Sequence, residues 1–365
     1  MMTVVTRVVL LVLDGYPNRH LTAEIAPTLS ALARDGGRAV DGGIAVMTSA
    51  TYPNHASFVT GVDVDGHGLY ANDVAVGGEL QLADRVGPAK PTIFDAVRAA
   101  GRTSSCVVGD HHLIRAMAAM RAHHHWPPNG ERPDDGPYDV LGYVADDVTV
   151  LRIIEAIDTR PDFLFAHLNE PDTAGHVFGP DKERAIEVYS ATDQRVGAIV
   201  AALEPAWADT VLMVVSDHDM EAALDPQPVD LAALAAAAGC RATAVHEGSG
   251  AALVDDDRFD TEWLQNSDGV ESWRELRPGL VVLNAAEGRW FGAIPIRGLR
   301  GVHGGERTRA QLAVVAGGHP AVRAIGDALQ QRRPNAVDWP TTAAALLGAE
   351  LKHATGIDLS SVGGG

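Results

Sequence analysis

Cysteine is scarce in this sequence. The 365 residues contain two, Cys106 and Cys240, far apart and in no CxxC spacing, so a disulfide framework and a cysteine-based zinc or redox motif are both excluded. Aromatic residues make up only 5% of the chain, against 38 glycines, so packing must rely on small residues and close approach of helix to sheet. Runs rich in Lys and Arg are missing altogether. With 48 acids against 29 bases and a formal charge of −19, the chain has no nucleic-acid-binding surface to offer. Such an acidic protein can still bind an anionic substrate where metal cations reverse the local field. No apolar run is long enough to span a membrane. The N-terminal MMTVVTRVVLLVLDGYP is apolar only briefly, is β-branched and ends in Asp14-Gly15 without a small-residue cleavage site. It reads as a buried first strand rather than a signal peptide, and cytoplasmic residence is the expectation.

What is present alternates between strand and helix. RVVLLVL (7–13), TSSCVVG (103–109), DFLFAHL (162–168), TVLMVVS (210–216) and QLAVVAG (311–317) are apolar almost throughout, as parallel strands covered on both faces are. Between them, 26–37 carries Pro27 at its start and Gly36-Gly37 at its end, the asymmetry of helix termini. The stretch 183–204 sets Ile186, Tyr189, Val196, Ile199, Val200 and Leu203 on one stripe. The expected fold is α/β, with a mainly parallel sheet, helices on both faces and sites at the carboxyl ends of strands. One catalytic domain over 1–365 is expected, with 219–300 as a small inserted subdomain and HHHWPPNGERPDDGP (123–137) as a loop.

Four segments that follow strand-like runs carry metal-ligand residue types: Leu13-Asp14-Gly15, Asn169 to His176, Ser216-Asp217-His218 and Gly301-Val302-His303-Gly304-Gly305. Each alone is weak, but together they supply Asp14, Asp172, Asp217, His176, His218 and His303. Three carboxylates and three imidazoles suffice for two dication sites. A fifth segment, TSATYPNHASFVTG (48–61), sets the Thr51 hydroxyl immediately before the Pro-containing start of a short amphipathic helix. The free N–H groups of such a terminus favour an anion, and a metal can convert the hydroxyl into a nucleophile. The bland reading of Thr51 is an N-cap. His55 and His67 read as structural, and His111, His112 and His123 to His125 as parts of solvated loops.

The ordered set LVLDG, TYPNHASFVTG with HGLYAND, EPDTAGHVFGP, SDH and GVHGG resembles the nucleotide pyrophosphatase/phosphodiesterase branch of the alkaline phosphatase superfamily. The resemblance runs from Asp14 to Gly305. It implies an alkaline-phosphatase-like fold and a two-zinc hydrolase of phosphate esters, with manganese as the alternative ion. One metal falls to Asp14, Thr51, Asp217 and His218, the other to Asp172, His176 and His303. Thr51 would be the nucleophile forming a threonyl-phosphate, Asn72 would contact a phosphoryl oxygen together with the Tyr52 amide, and Tyr52 would stack on a nucleobase. The implied partner is a small-molecule phosphate ester, with a nucleotide suggested by Tyr52. Two departures stand out: Asp219 occupies a place where the family usually has Gly, and family members are often larger and secreted.

Competing readings on the same metal core are a phosphomonoesterase and a phosphonate hydrolase. A sulfatase would need a Cys or Ser in a C/SxPxR setting, which Thr51 does not provide. A phosphoglycerate mutase would need a nucleophilic Ser followed by a long insertion. A metal-binding scaffold without catalysis is opposed by the presence of all seven metal-ligand positions.

Overall fold

The computed structural model describes residues 6–134 and 136–362, so the first five residues of the apolar N-terminal stretch lie outside it. In chain order, the elements that build the site are β1 (Arg7–Leu13), α1 (Pro27–Asp35), β2 (Gly37–Arg38), α2 (Thr51–Thr60), β3 (Ser104–Val108) and β4 (His124–Trp126). There follow α3 (Asp146–Asp158), β5 (Phe163–Leu168), α4 (Glu170–Phe178), α5 (Glu183–Leu203) and β6 (Thr210–Val215). Next come β7 (Thr243–Glu247), β8 (Gly250–Val254), β9 (Val270–Arg277), β10 (Leu280–Ala285) and β11 (Ala313–Ala316), and then the helices α6 (Ala321–Gln331) and α7 (Asp338–Leu346).

Seven strands form the central sheet in the order β2-β11-β6-β1-β5-β3-β4. Strands β6, β1, β5, β3 and β4 are parallel, whereas β11 runs antiparallel to both β6 and β2. The apolar run at 311–317 therefore does form a strand, but not a parallel one. Alternation along β1 shows why these strands are apolar throughout. Val8, Leu10 and Val12 enter one core with Phe58 of α2, Ile325 of α6 and Trp339 of α7. Val9, Leu11 and Leu13 enter a second core with Leu29 of α1, Ile153 of α3 and Tyr189 of α5. With both faces covered, Val8 to Leu13 are all buried and only Arg7 at the strand's start is partly exposed.

Two local expectations are corrected. The stretch 123–137 is not wholly loop: β4 adds to the sheet edge by pairing Ser105, Cys106 and Val107 with His124, His125 and Trp126. Backbone pairing overrides the polar composition there, because an edge strand needs only one partner. Helix α2 is not amphipathic, since all ten of its residues are buried.

Within 219–300, strands β7, β8, β10 and β9 form a separate four-stranded antiparallel sheet. It has its own apolar cluster, including Leu253, Leu264, Leu283 and Phe291. Among the described residues, no helix is long and apolar enough to cross a membrane.

Candidate metal centre

The parallel strands end together, and their next residues converge. Asp14 follows β1, Asn169 to His176 follow β5 into α4, and Asp217 and His218 follow β6. The antiparallel β11 places no donor here; His303 arrives instead on the loop that precedes it. Gly15 shows how tight the junction is. Its φ is +59°, and a Cβ there would lie 3.0 Å from Asp172 Cα, while its N–H donates to Asp217 Oδ1 at 3.0 Å.

Two donor groups result, Asp14 with Asp217 and His218, and Asp172 with His218 and His303, and the ligand atoms of each lie within 4.8 Å of one another. His218 belongs to both. Its Nε2 stands 3.5 Å from Asp14 and 3.4 Å from Asp217, and its ring stacks on His303 with centroids 3.8 Å apart. His176 joins the second group through Nε2, 3.4 Å from Asp172 Oδ1.

The charges are unbalanced as they stand. Asp14 Oδ1, Asp172 Oδ1 and Asp217 Oδ2 are buried and have no hydrogen-bond partner. Burial, reinforced by the neighbouring carboxylates of Asp217 and Asp172, holds the Asp14 carboxyl well above its ordinary range. Burial also raises Asp172 and Asp217. Loss of solvent lowers His218 to about 4 and pushes His303 well below the usual imidazole value. Neutral imidazoles facing orphaned carboxylate oxygens are the donor state that a dication requires.

Thr51 is the first residue of α2, with Ala50 as the N-cap, so its hydroxyl is not spent on capping. Thr51 Oγ1 lies 3.4 Å from His218 Nε2, within reach of the first group. The Tyr52 N–H is already engaged, donating to Asn72 Oδ1 at 2.9 Å. The expected pairing of that amide with a phosphoryl oxygen is therefore replaced by a link between the helix start and Asn72. This link leaves the Asn72 Nδ2 hydrogens as the donors available to a ligand. Tyr52 itself is only 4% exposed. Its ring tilts against His112, with centroids 6.4 Å apart, and it has no open face for stacking. Asp219 turns away from the centre into an ion pair with Arg19 at 2.5 Å.

Three residues at the site escaped the sequence reading. His167, inside the apolar β5, places Nε2 2.8 Å from Asp14 Oδ2 and so orients a metal-type carboxylate. A histidine in an otherwise apolar strand was the available signal. Glu247, at the end of β7, accepts the Asn72 N–H through Oε2 at 2.6 Å, and burial raises its carboxyl to about 8. Nothing near it in sequence marks it. Asp110, after β3, is buried beside the two histidines His111 and His112.

His55 and His67 brace α2. His55 Nδ1 meets the Thr51 carbonyl at 2.8 Å, and His67 Nε2 meets Ser57 Oγ at 3.0 Å.

Comparison with known proteins gives the family and the fold. Residues 8–297 match the family model of type I phosphodiesterase / nucleotide pyrophosphatase. Ectonucleotide pyrophosphatase/phosphodiesterase family member 1 of Rattus norvegicus is 26% identical over 57% of this chain and 23% of its own length. Bis(5'-adenosyl)-triphosphatase enpp4 of Xenopus laevis is 27% identical over 59% of this chain and 47% of its own. The chain thus spans less than half the length of these curated relatives. Among solved structures, an inactive variant of murine ectonucleotide pyrophosphatase/phosphodiesterase 5 in complex with AMP has a TM-score of 0.72 at 20% identity, covering 96% of this chain and 97% of that one. Phosphonoacetate hydrolase from Sinorhizobium meliloti 1021, in complex with phosphonoformate, has a TM-score of 0.71 at 19% identity, covering 94% and 96%. These likenesses show an alkaline-phosphatase-like fold.

Proposed function

This chain belongs to the type I phosphodiesterase/nucleotide pyrophosphatase family, and on that footing we propose that it is a two-zinc hydrolase of phosphate diesters, of nucleotide type, with Thr51 as its nucleophile. The observation that carries this reading is the position of the Thr51 hydroxyl. It sits at the start of a fully buried helix and 3.4 Å from the histidine that the two donor groups share.

Asp14, Thr51, Asp217 and His218 would hold one dication and Asp172, His176 and His303 the other; the orphaned oxygens of Asp14, Asp172 and Asp217 fit that occupation. Imidazole in both groups favours zinc, with manganese as the alternative. Bound there, dications supply charge neutralisation for the phosphoryl group and lower the pKa of the Thr51 hydroxyl. The remaining steps belong to the chain. Thr51 Oγ1 forms a bond to phosphorus as the bond to the leaving oxygen breaks, and the proton given up by the Thr51 hydroxyl is taken up by the leaving oxygen, giving a threonyl-phosphate ester and an alcohol or phosphate product. Water then attacks the same phosphorus, the Thr51–phosphorus bond breaks, and one proton of that water passes to Thr51 Oγ1, releasing a phosphate monoester and restoring the hydroxyl. The Asn72 Nδ2 donors, aligned by the Tyr52 N–H and by Glu247, bind a non-bridging oxygen throughout. His55, on the Thr51 carbonyl, keeps the first turn of α2 in place.

A phosphonate substrate is the competing reading, because the phosphonoacetate hydrolase shares the fold over nearly the whole chain. The deciding measurement is kcat/KM on zinc-loaded protein for a nitrophenyl nucleotide diester against nitrophenyl phosphate. The diester is expected to lead by about 10²-fold or more. A ratio below one would make the protein a monoesterase, and silence on both with turnover of phosphonoacetate would establish the competitor.

A further inference from the structure

Beside the two donor groups lies a third. After β3 the chain turns through Asp110, His111 and His112, whose ligand atoms lie within 4.8 Å of one another. The imidazoles of His111 and His112 face each other with centroids 3.9 Å apart. Two observations show more than a chance meeting of polar side chains. His112 Nδ1 pairs with Asp84 Oδ2 at 2.7 Å, which fixes the ring and leaves Nε2 as its remaining donor. A carboxylate behind an imidazole is the arrangement that orients histidine ligands in metal sites. In addition, His111 Nδ1 and Asp84 Oδ1 are both buried and unpartnered, although Asp84 is 8% exposed and Asp110 only 3%. Leaving such atoms unpaired costs about 1–3 kcal/mol each.

We propose that Asp110, His111 and His112 form a third dication site, of the zinc class, with Asp84 as the carboxylate that positions His112. Two imidazoles and one carboxylate are a zinc-type donor set, and three protein ligands leave a further coordination position open. The site adjoins the nucleophile's helix, since the His112 ring lies 6.4 Å from that of Tyr52. It is also within electrostatic range of the first donor group, because the Asp110 carboxylate contributes to the raised pKa of Asp14. A cation here would add positive charge beside the carboxylates of Asp84 and Asp110, on a flank that Arg115 and Arg132 also reach electrostatically. Its open position would take an oxygen of the bound ester.

The test counts metal. Full-length protein is stripped, dialysed against zinc chloride and measured by inductively coupled plasma mass spectrometry, with circular dichroism to verify folding. Wild type is expected to hold three equivalents, and His111→Ala and His112→Ala two each. Asp84→Asn, which keeps the bulk, is expected to weaken the third equivalent by about 10–100-fold. The double variant His124→Ala, His125→Ala controls for adventitious binding and is expected to keep three. Two equivalents in wild type, unchanged in His111→Ala, would overturn the third site while leaving the two-metal reading intact. Loss of the third equivalent from the His124/His125 variant, with its retention in His111→Ala, would also overturn it. A failure of the two-metal reading itself would show separately, as no loss of metal in an Asp217→Asn, His303→Ala variant.

Discussion

The ends of the parallel strands and the inserted antiparallel sheet meet at one site and do different work there. The strand ends supply Asp14, Asp172, Asp217 and His218, packed so closely that three carboxylate oxygens are orphaned. The inserted sheet supplies none of the proposed metal ligands. It holds in place two parts that the strand ends cannot reach. Glu247 fixes Asn72, and the turn after β7 grips the loop bearing His303. There the Ser249 N–H donates to the His303 carbonyl at 2.7 Å, and from β10 Asn284 Oδ1 accepts the Glu306 N–H at 2.7 Å. Gly304 makes this grip possible. Its φ is +110°, and a Cβ would stand 1.9 Å from the Glu247 carbonyl, so any other residue would push the loop off the sheet. On the proposed reading the strand ends carry the chemistry and the inserted sheet holds its parts in place. Positioning and chemistry are therefore separable by mutation.

The largest effect should fall on the strand-end side. Thr51→Ala removes the hydroxyl from a helix whose capping does not involve it, so turnover is expected to drop by about 10³-fold or more with the melting temperature nearly unchanged. Residual turnover within tenfold of wild type would exclude Thr51 as nucleophile. The opposite pattern is expected from the inserted sheet. Leu283, fully buried in that sheet's cluster, should cost about 2–5 kcal/mol of stability when truncated in Leu283→Ala, measured by urea denaturation. Below the transition, kcat should fall only through looser holding of Asn72 and the His303 loop. If Leu283→Ala instead abolished turnover in fully folded protein, the division of labour would fail.

The same contrast decides how much was legible in the sequence. Asp14, Asp217 and the Asp172-His176 pair could be read because each comes just after an apolar run, and a parallel sheet brings the residues beyond its strand ends to one edge. Helix α5 was legible to within one residue, Glu183–Leu203 against 183–204, since its stripe repeats over more than five turns. The direction of β11 was not, because an apolar run covered on both faces reads alike in either orientation. The edge strand His124–Trp126 was hidden by its composition. Glu247 was invisible for a different reason. It lies 175 residues from Asn72, and an isolated glutamate in a short strand gives no local sign of the contact it will make. The burial of Tyr52 depended likewise on the side chains of Asp110 and His112 brought against it by the fold.

The smallest effect, and the finest probe of the comparison, is the pH dependence carried by Glu247. Its folded carboxyl is raised to about 8, chiefly by burial and further by the nearby carboxylates of Asp73 and Asp172, against about 4.5 in an unfolded chain. A raised folded pKa means that the native state binds a proton which the unfolded state releases. The stability this contributes is fully present below about pH 4.5 and is lost as pH rises through about 8, with a slope of at most about 1.4 kcal/mol per pH unit. Glu247→Gln keeps an oxygen to accept the Asn72 N–H and has no proton to lose. Its stability relative to wild type should therefore increase steadily from pH 5 to pH 8, as measured by urea midpoints at each pH, while kcat/KM changes by only a few-fold. Parallel stability curves for the two proteins would mean that Glu247 is ionised in the folded state, and that a charged carboxylate, rather than a neutral one, holds Asn72 beside Thr51.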